Sequence, residues 1–290
     1  MHSNYRKIVR SLLLAAILGG YGVVSADTVM AQETQTGESA RADDSITKAA
    51  ASREEKAAQG DPEAQFRLGV DYAAGKTGRR DFDEAAKWFL KAAEQNHPLA
   101  QDMLGRMYAS GMGIKGGPDI NESAKWFEKA ANNGVASSQY RIGVYYEYGH
   151  GVAKNFETAA GWYRKSAEQG NEDGQTRLGY LYMIGRGVPQ DYAKAMEWFR
   201  KVADQDDGDA QGLVAVMYDK GMGVKQDYAE AANWYKKAAE QDIVQAQYRL
   251  GEMYEQGLGL PEDRAEALKW YRKAADQGDI NAKKKLVELE

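Results

Sequence analysis

Six tryptophans, Trp88, Trp126, Trp162, Trp198, Trp234 and Trp270, stand 38, 36, 36, 36 and 36 residues apart. An aromatic residue follows each one: Phe89, Phe127, Tyr163, Phe199, Tyr235 and Tyr271. Gln65, Gln101, Gln139, Gln175, Gln211 and Gln247 keep the same beat. Seven residues after each stands a tyrosine: Tyr72, Tyr108, Tyr146, Tyr182, Tyr218 and Tyr254. Four residue types in register six times define an internal repeat, and a period of this length marks an array of stacked supersecondary units. One such unit cannot bury its Trp-aromatic face alone, whereas a stack can, with a core continuous along it.

Each unit reads as two helices. In the first copy Ala64, Leu68 and Tyr72 recur at steps of four, and Phe82, Ala85, Ala86, Phe89, Ala92 and Ala93 form a second 3–4 pattern. The second helix is expected to start on Asp81, Asp119, Asn155, Asp191, Asp227 and Asp263, good N-caps seven residues before each Trp. Glu84, Glu122, Glu230 and Glu266 stand three residues further on, the spacing of a reciprocal capping box. The helix is expected to stop at Gly134, Gly170 and Gly278, or at Asn96, Asp206 and Asp242, which tolerate a left-handed C-terminal residue. A Gly-x-Gly loop joins the two helices in five copies, from Gly111-Met-Gly113 to Gly257-Leu-Gly259. A further glycine lies inside the first helix (Gly69, Gly105, Gly143, Gly179, Gly251; Ala215 in the fifth copy). It costs about 1 kcal/mol against alanine there, so a neighbouring helix must approach too closely for a side chain. Each Trp is expected to be interior, worth roughly 3–5 kcal/mol on truncation to alanine.

The ends read differently. Residues 1–26 have the form of a signal peptide: basic Arg6, Lys7 and Arg10, an apolar run from Leu12 to Val24, and a cleavage point after Ala26 or Ala31. The apolar run is shorter than the roughly 20 residues of a spanning helix, and no later segment could span a bilayer. Residues 27–44, rich in Thr, Gln, Glu, Ser and Asp, read as a disordered linker. A degenerate N-terminal capping helix is expected over 45–60, six repeats over 61–278, and a C-terminal capping helix over 279–290. The fold class is therefore all-α: a right-handed superhelical solenoid of about six helix-turn-helix repeats with polar capping helices.

Composition excludes several functions. The chain has no cysteine, so disulfides, thiolate metal sites and cysteine nucleophiles are absent. Without the three basic residues of the signal, 35 basic residues face 43 acidic ones, a net charge of −8. Such a surface repels phosphate backbones, so nucleic acid is not an expected partner.

The repeat resembles the Sel-one-like repeat family, a branch of the tetratricopeptide-like solenoids. The last copy carries its pattern in Ala246, Leu250, Gly251, Tyr254, Gly257, Gly259, Asp263, Ala267, Trp270, Tyr271, Ala274, Ala275 and Gly278. The resemblance covers residues 60–290. It implies an adaptor or scaffold rather than an enzyme, and for an exported bacterial member a regulatory role in the cell envelope. A cysteine-rich branch is linked to penicillin binding, an association that carries over poorly to a chain without cysteine.

The repeated Trp, Tyr and Gly positions are structural, since a ligand site does not need six copies. The Gly-x-Gly loops follow a helix, unlike phosphate cradles. His97 and His150 lie far apart with no partner constellation, so neither metal nor cofactor is expected. Asp204, Asp206, Asp207 and Asp209 read as a solvated turn with capping roles, and Lys283, Lys284 and Lys285 as a solvated helix face. The informative positions vary between copies. Residues one, five and eight after the repeat glutamine lie about 150° from the Leu/Tyr stripe. This face would line a concave groove or be buried by curvature. The candidate partner-binding set is Tyr140, Val144, Glu147, Tyr148, Thr176, Tyr180, Met183 and Ile184, with Arg106. The expected function is a non-enzymatic scaffold in the periplasm, binding a protein or peptide such as the periplasmic part of a membrane protein. The alternatives are a cell-wall or β-lactam-acting enzyme and a secreted host-interaction factor.

Overall fold

A computed structural model describes residues 53–289, in which there are fourteen helices and no strand. Residues 53–58 are helical and are labelled α1. The six hairpins follow as α2 (Pro62–Ala74) and α3 (Phe82–Glu94), α4 (Pro98–Ser110) and α5 (Ile120–Asn132), α6 (Ala136–Tyr148) and α7 (Phe156–Glu168), α8 (Glu172–Ile184) and α9 (Tyr192–Ala203), α10 (Gly208–Lys220) and α11 (Tyr228–Glu240), α12 (Val244–Gln256) and α13 (Arg264–Asp276). A last helix, α14, covers Ile280–Leu289. The proposed signal, linker and first part of the N-terminal cap lie outside the described residues.

The described chain divides into two compact units. The N-terminal unit runs to Leu178 and takes in Arg186–Val188, while the C-terminal unit holds Gly179–Gly185 and continues from Pro189. Helix α8 contributes residues to both. Inside each unit every helix packs on the one before and the one after it, from α2 to α7 and from α9 to α14. This is the hairpin-on-hairpin packing of an α-solenoid.

The expected caps start the second helices. Asp81 accepts from the Glu84 N–H at 2.9 Å and Asp227 from Glu230 at 3.0 Å, with equivalent bonds at Asp119, Asn155, Asp191 and Asp263. The reciprocal half of the capping box is not needed. Each cap's own N–H donates to the carbonyl of the repeat tyrosine, as from Asp81 to Tyr72 (3.0 Å) and Asp263 to Tyr254 (2.9 Å). The glutamates Glu84, Glu122 and Glu266 instead pair with Lys87, Lys125 and Lys269. This bond also explains the spacing of 38. The second copy's loop is two residues longer, yet Asp119 still reaches Tyr108 at 2.8 Å because Gly116 and Gly117 take up the excess at positive φ. The second helices stop where expected, with Asn96, Asp206 and Asp242 at φ 64°, 65° and 62° in place of glycine.

The interior differs from the expectation in one respect. The aromatic after each Trp is the buried one: Phe89, Phe127, Tyr163, Phe199, Tyr235 and Tyr271 are at most 2% exposed. The indoles lie nearer the surface, and Trp88 and Trp198 are only partly buried. Each indole is covered by the lysine three residues on, from Lys91 at 3.9 Å over Trp88 to Lys273 at 4.4 Å over Trp270. The amphipathic lysine stem and charge cap the ring's outer face.

The first-helix glycines exist for the buried aromatics. A Cβ on Gly143 would lie 2.7 Å from the Tyr163 ring, and the same clash recurs between Gly69 and Phe89, Gly105 and Phe127, Gly179 and Phe199, and Gly251 and Tyr271.

The repeat glutamines tie neighbouring hairpins together. Gln139 donates to the Ala131 carbonyl at 3.1 Å and accepts from Gln169 at 2.7 Å; Gln247 does the same with Ala239 and Gln277. A buried amide satisfied on both sides fixes register between repeats. The C-terminal helix is less polar than a cap was expected to be, with Ile280 and Val287 well exposed beside Lys283, Lys284 and Glu288.

Candidate functional site

The residues expected to line a groove fall in both units. In the N-terminal unit Tyr140, Val144 and Tyr148 form a ridge on α6 at steps of four. Tyr140 and Val144 are half-buried, and Tyr148 is 49% exposed, its ring stacked 5.8 Å from His150. Arg106 on α4 is half-buried and binds Asp102 at 2.6 Å. Glu147 and Thr176 are buried, so for these two the alternative of burial by neighbouring repeats holds. In the C-terminal unit Tyr180 and Ile184 are half-buried and Met183 is buried.

Glu147 is buried for a specific reason. The Tyr163 hydroxyl donates to it at 2.5 Å, and the Arg177 guanidinium stands 3.7 Å away. Burial and the adjacent carboxylate push the Tyr163 hydroxyl well up, so it stays protonated. Burial alone would lower Arg177, but Glu147 together with the Tyr140, Tyr163 and Tyr148 hydroxyls outweighs it and raises the guanidinium.

The C-terminal unit repeats this arrangement twice. Tyr235 donates to Asp219 at 3.3 Å, and Arg249 clamps the same carboxylate with two bonds of 2.8 Å while reaching Glu252 at 3.1 Å. A cavity of about 530 Å³ opens beside Asp219, Tyr235 and Arg249. Tyr271 donates to Glu255 at 2.5 Å, and Lys285 binds Glu255 at 3.0 Å. Lys285 therefore completes a buried-edge triad and is not part of a solvated lysine run.

These tyrosine–acid–cation triads were legible in a comparison of the copies with one another. Where the aromatic after Trp is tyrosine, the residue eight after the repeat glutamine is Glu147, Asp219 or Glu255. Where it is Phe89, Phe127 or Phe199, that position is Ala73, Ala109 or Met183. A buried hydroxyl requires an acceptor, and a buried acid requires a cation. Each acid in a triad is already occupied by a hydroxyl and a cation, so it is not poised as a general base. The triads are interlocks between successive repeats.

The acidic turn has the capping roles expected of it. Asp207 accepts from the Ala210 N–H at 2.9 Å, and Asp206 accepts from Gln211 at 3.0 Å and Gln241 at 3.1 Å. His97 serves as the N-cap of α4, accepting from Ala100 at 3.2 Å, and contacts Glu63 at 3.0 Å. Among the described residues no group of three or more His, Asp or Glu side chains could hold a metal ion, and no helix is long and apolar enough to cross a membrane.

Capped two-helix units, locked by glutamine ladders and buried aromatics, define a helical-repeat protein of the stacked-hairpin class. The Sel1 repeat profile matches residues 62–97, 98–135, 136–171, 172–207, 208–243 and 244–279, and the chain belongs to this family. Among solved structures it is similar to a protective antigen of uropathogenic Escherichia coli strains displaying an SLR fold (40% identity, TM-score 0.77, 82% of this chain and 50% of that one). It is also similar to a Sel1 repeat protein from Oxalobacter formigenes (33% identity, TM-score 0.68, 76% of this chain and 88% of that one). An Arabidopsis thaliana ERAD-associated E3 ubiquitin-protein ligase component, HRD3A, is 39% identical over 61 residues, 21% of this chain and 9% of the plant protein. The chain thus spans half of the E. coli protein and a small part of the plant one.

Proposed function

We propose that this protein is a non-catalytic protein-binding module of the bacterial cell envelope, exported to the periplasm, that holds a protein or peptide against the α6 face. One observation carries this reading. Tyr148 stands half-exposed at the end of a ridge whose other members, Tyr140 and Val144, are partly open. An exposed aromatic flanked by apolar side chains is the usual anchor of a protein contact. The plant relative's place as a component of a ligase fits a family segment used for docking. Periplasmic residence rests on the basic start, the apolar run and the small residues before Ala26 and Ala31.

Crosslinking in intact cells followed by pull-down and mass spectrometry tests the surface. The double variant Val144→Ser, Tyr148→Ser is expected to lose the crosslinked partner with an unchanged helical circular dichroism spectrum. A partner retained at wild-type yield would reject the α6 face. Recovery of the tagged protein in the cytoplasmic fraction would reject the proposed location.

A further inference from the structure

A cation stands two residues after four of the repeat glutamines, Arg67, Arg141, Arg177 and Arg249, and Lys285 holds the equivalent place on α14. Arg177, Arg249 and Lys285 meet the acid of the preceding repeat, at Glu147, Asp219 and Glu255. For Arg141 the equivalent position is Ala109, which is exposed and carries no acid, and the aromatic is Phe127, which has no hydroxyl. Arg141 makes no hydrogen bond or ion pair with any described residue; its one contact of note is the Phe127 ring, 5.6 Å from the guanidinium carbon. The neighbouring acid is already taken, because Asp102 accepts from Arg106 at 2.6 Å and from Ser138 at 2.6 Å. Burial and, after it, the proximity of Arg106 push the Arg141 guanidinium down, and Asp102 offsets this only in part.

We propose that Arg141 is a carboxylate socket: a peptide carboxylate enters beside Ala109 and takes the place that Glu147, Asp219 and Glu255 fill in the other copies. A guanidinium presents paired N–H donors that match a carboxylate's two oxygens, and the ring of Phe127 holds its opposite face. The open Ala109 position leaves room for the incoming group. This deepens the protein-binding reading by naming the chemistry of the partner, an acidic side chain or a free C-terminus.

The test uses the 15N-labelled full chain and follows the Arg141 Nε–H resonance. The probes are three acetylated tetrapeptides: Gly-Gly-Glu-Gly amide, Gly-Gly-Gln-Gly amide, and Gly-Gly-Gly-Gly with a free terminus. The Glu peptide, the free-terminus peptide or both should shift Arg141, and the Gln amide should not; which of the two acts separates side-chain from terminal recognition. Arg141→Met, followed at the backbone amides of Ala109 and Phe127 in the same labelled chain, should weaken binding by about tenfold or more, the worth of a charge-assisted hydrogen bond. Ala109→Glu should fill the socket from within and abolish the shift while leaving the protein folded. Equal shifts with the Gln amide, or binding that survives both variants, would overturn the proposal. Failure of the α6 reading is distinguishable from this: the Val144→Ser, Tyr148→Ser variant would then keep its cellular partner, whatever Arg141 does.

Discussion

Removing Asp219 alone should damage the protein more than removing its whole triad. In Asp219→Ala the Arg249 guanidinium loses two bonds of 2.8 Å and the Tyr235 hydroxyl loses its acceptor. Breaking one side of a buried ion pair typically costs about 3–5 kcal/mol. Arg249 is a quarter exposed and keeps Glu252 at 3.1 Å, which reduces that figure. The stranded, nearly fully buried Tyr235 hydroxyl adds about 1 kcal/mol or more. The expected loss is about 3 kcal/mol. The fourth copy shows the apolar solution at the same positions, with Met183, Phe199 and Leu213. The triple variant Asp219→Met, Tyr235→Phe, Arg249→Leu copies it, and should lie within about 1 kcal/mol of wild type, since an apolar replacement avoids desolvating the charges. Urea unfolding followed by circular dichroism and tryptophan fluorescence measures both. A single variant within 0.5 kcal/mol of wild type (about the scatter of an ordinary surface substitution), or a triple as unstable as the single, would refute the interlock.

Gly143→Ala should destabilise by about 1–2 kcal/mol, because a Cβ 2.7 Å from the Tyr163 ring outweighs the gain in helix propensity; Ala215→Gly should also destabilise, by about 1 kcal/mol, through lost propensity. Both are read by urea unfolding. Asp227→Ala removes an N-cap bonded at 3.0 Å and should cost about 1 kcal/mol, seen as a lowered Tm. The Glu255 carboxyl is pushed up by burial, but the Tyr271 hydroxyl and Lys285 outweigh this and hold it below its ordinary range. Its contribution is therefore full above the ordinary carboxylate range and lost as pH falls through the lowered value. Lys285→Met should cost no more than about 1 kcal/mol at pH 7, and the difference from wild type should vanish in acid; a pH-independent difference would show that Lys285 acts by packing alone.

The triads and the unpaired Arg141 also explain why copies of one repeat differ. A tyrosine in the buried position imposes an acid on the helix before it and a cation on the helix after it. Phenylalanine releases both constraints, and in the second copy it leaves Arg141 without an ion pair among the described residues. Variation between repeats thus marks where the interior is polar, and where a polar group is left for a partner.

Much of the architecture was written in the chain's own period. Helix starts at Asp81 and its equivalents, stops at Asn96 and its equivalents, and the loop glycines follow from local rules of capping and steric permission, which depend on near neighbours in sequence. Three things depended on residues 16 to 36 positions apart meeting in space: that Phe89 and its equivalents, rather than the indoles, form the innermost layer; that Glu147, Thr176 and Met183 turn inward while Tyr148 remains open; and that Lys285 belongs to a triad. Periodicity tells which side of a helix is apolar, but only the stacking of one hairpin on the next decides how much of the opposite side stays in water.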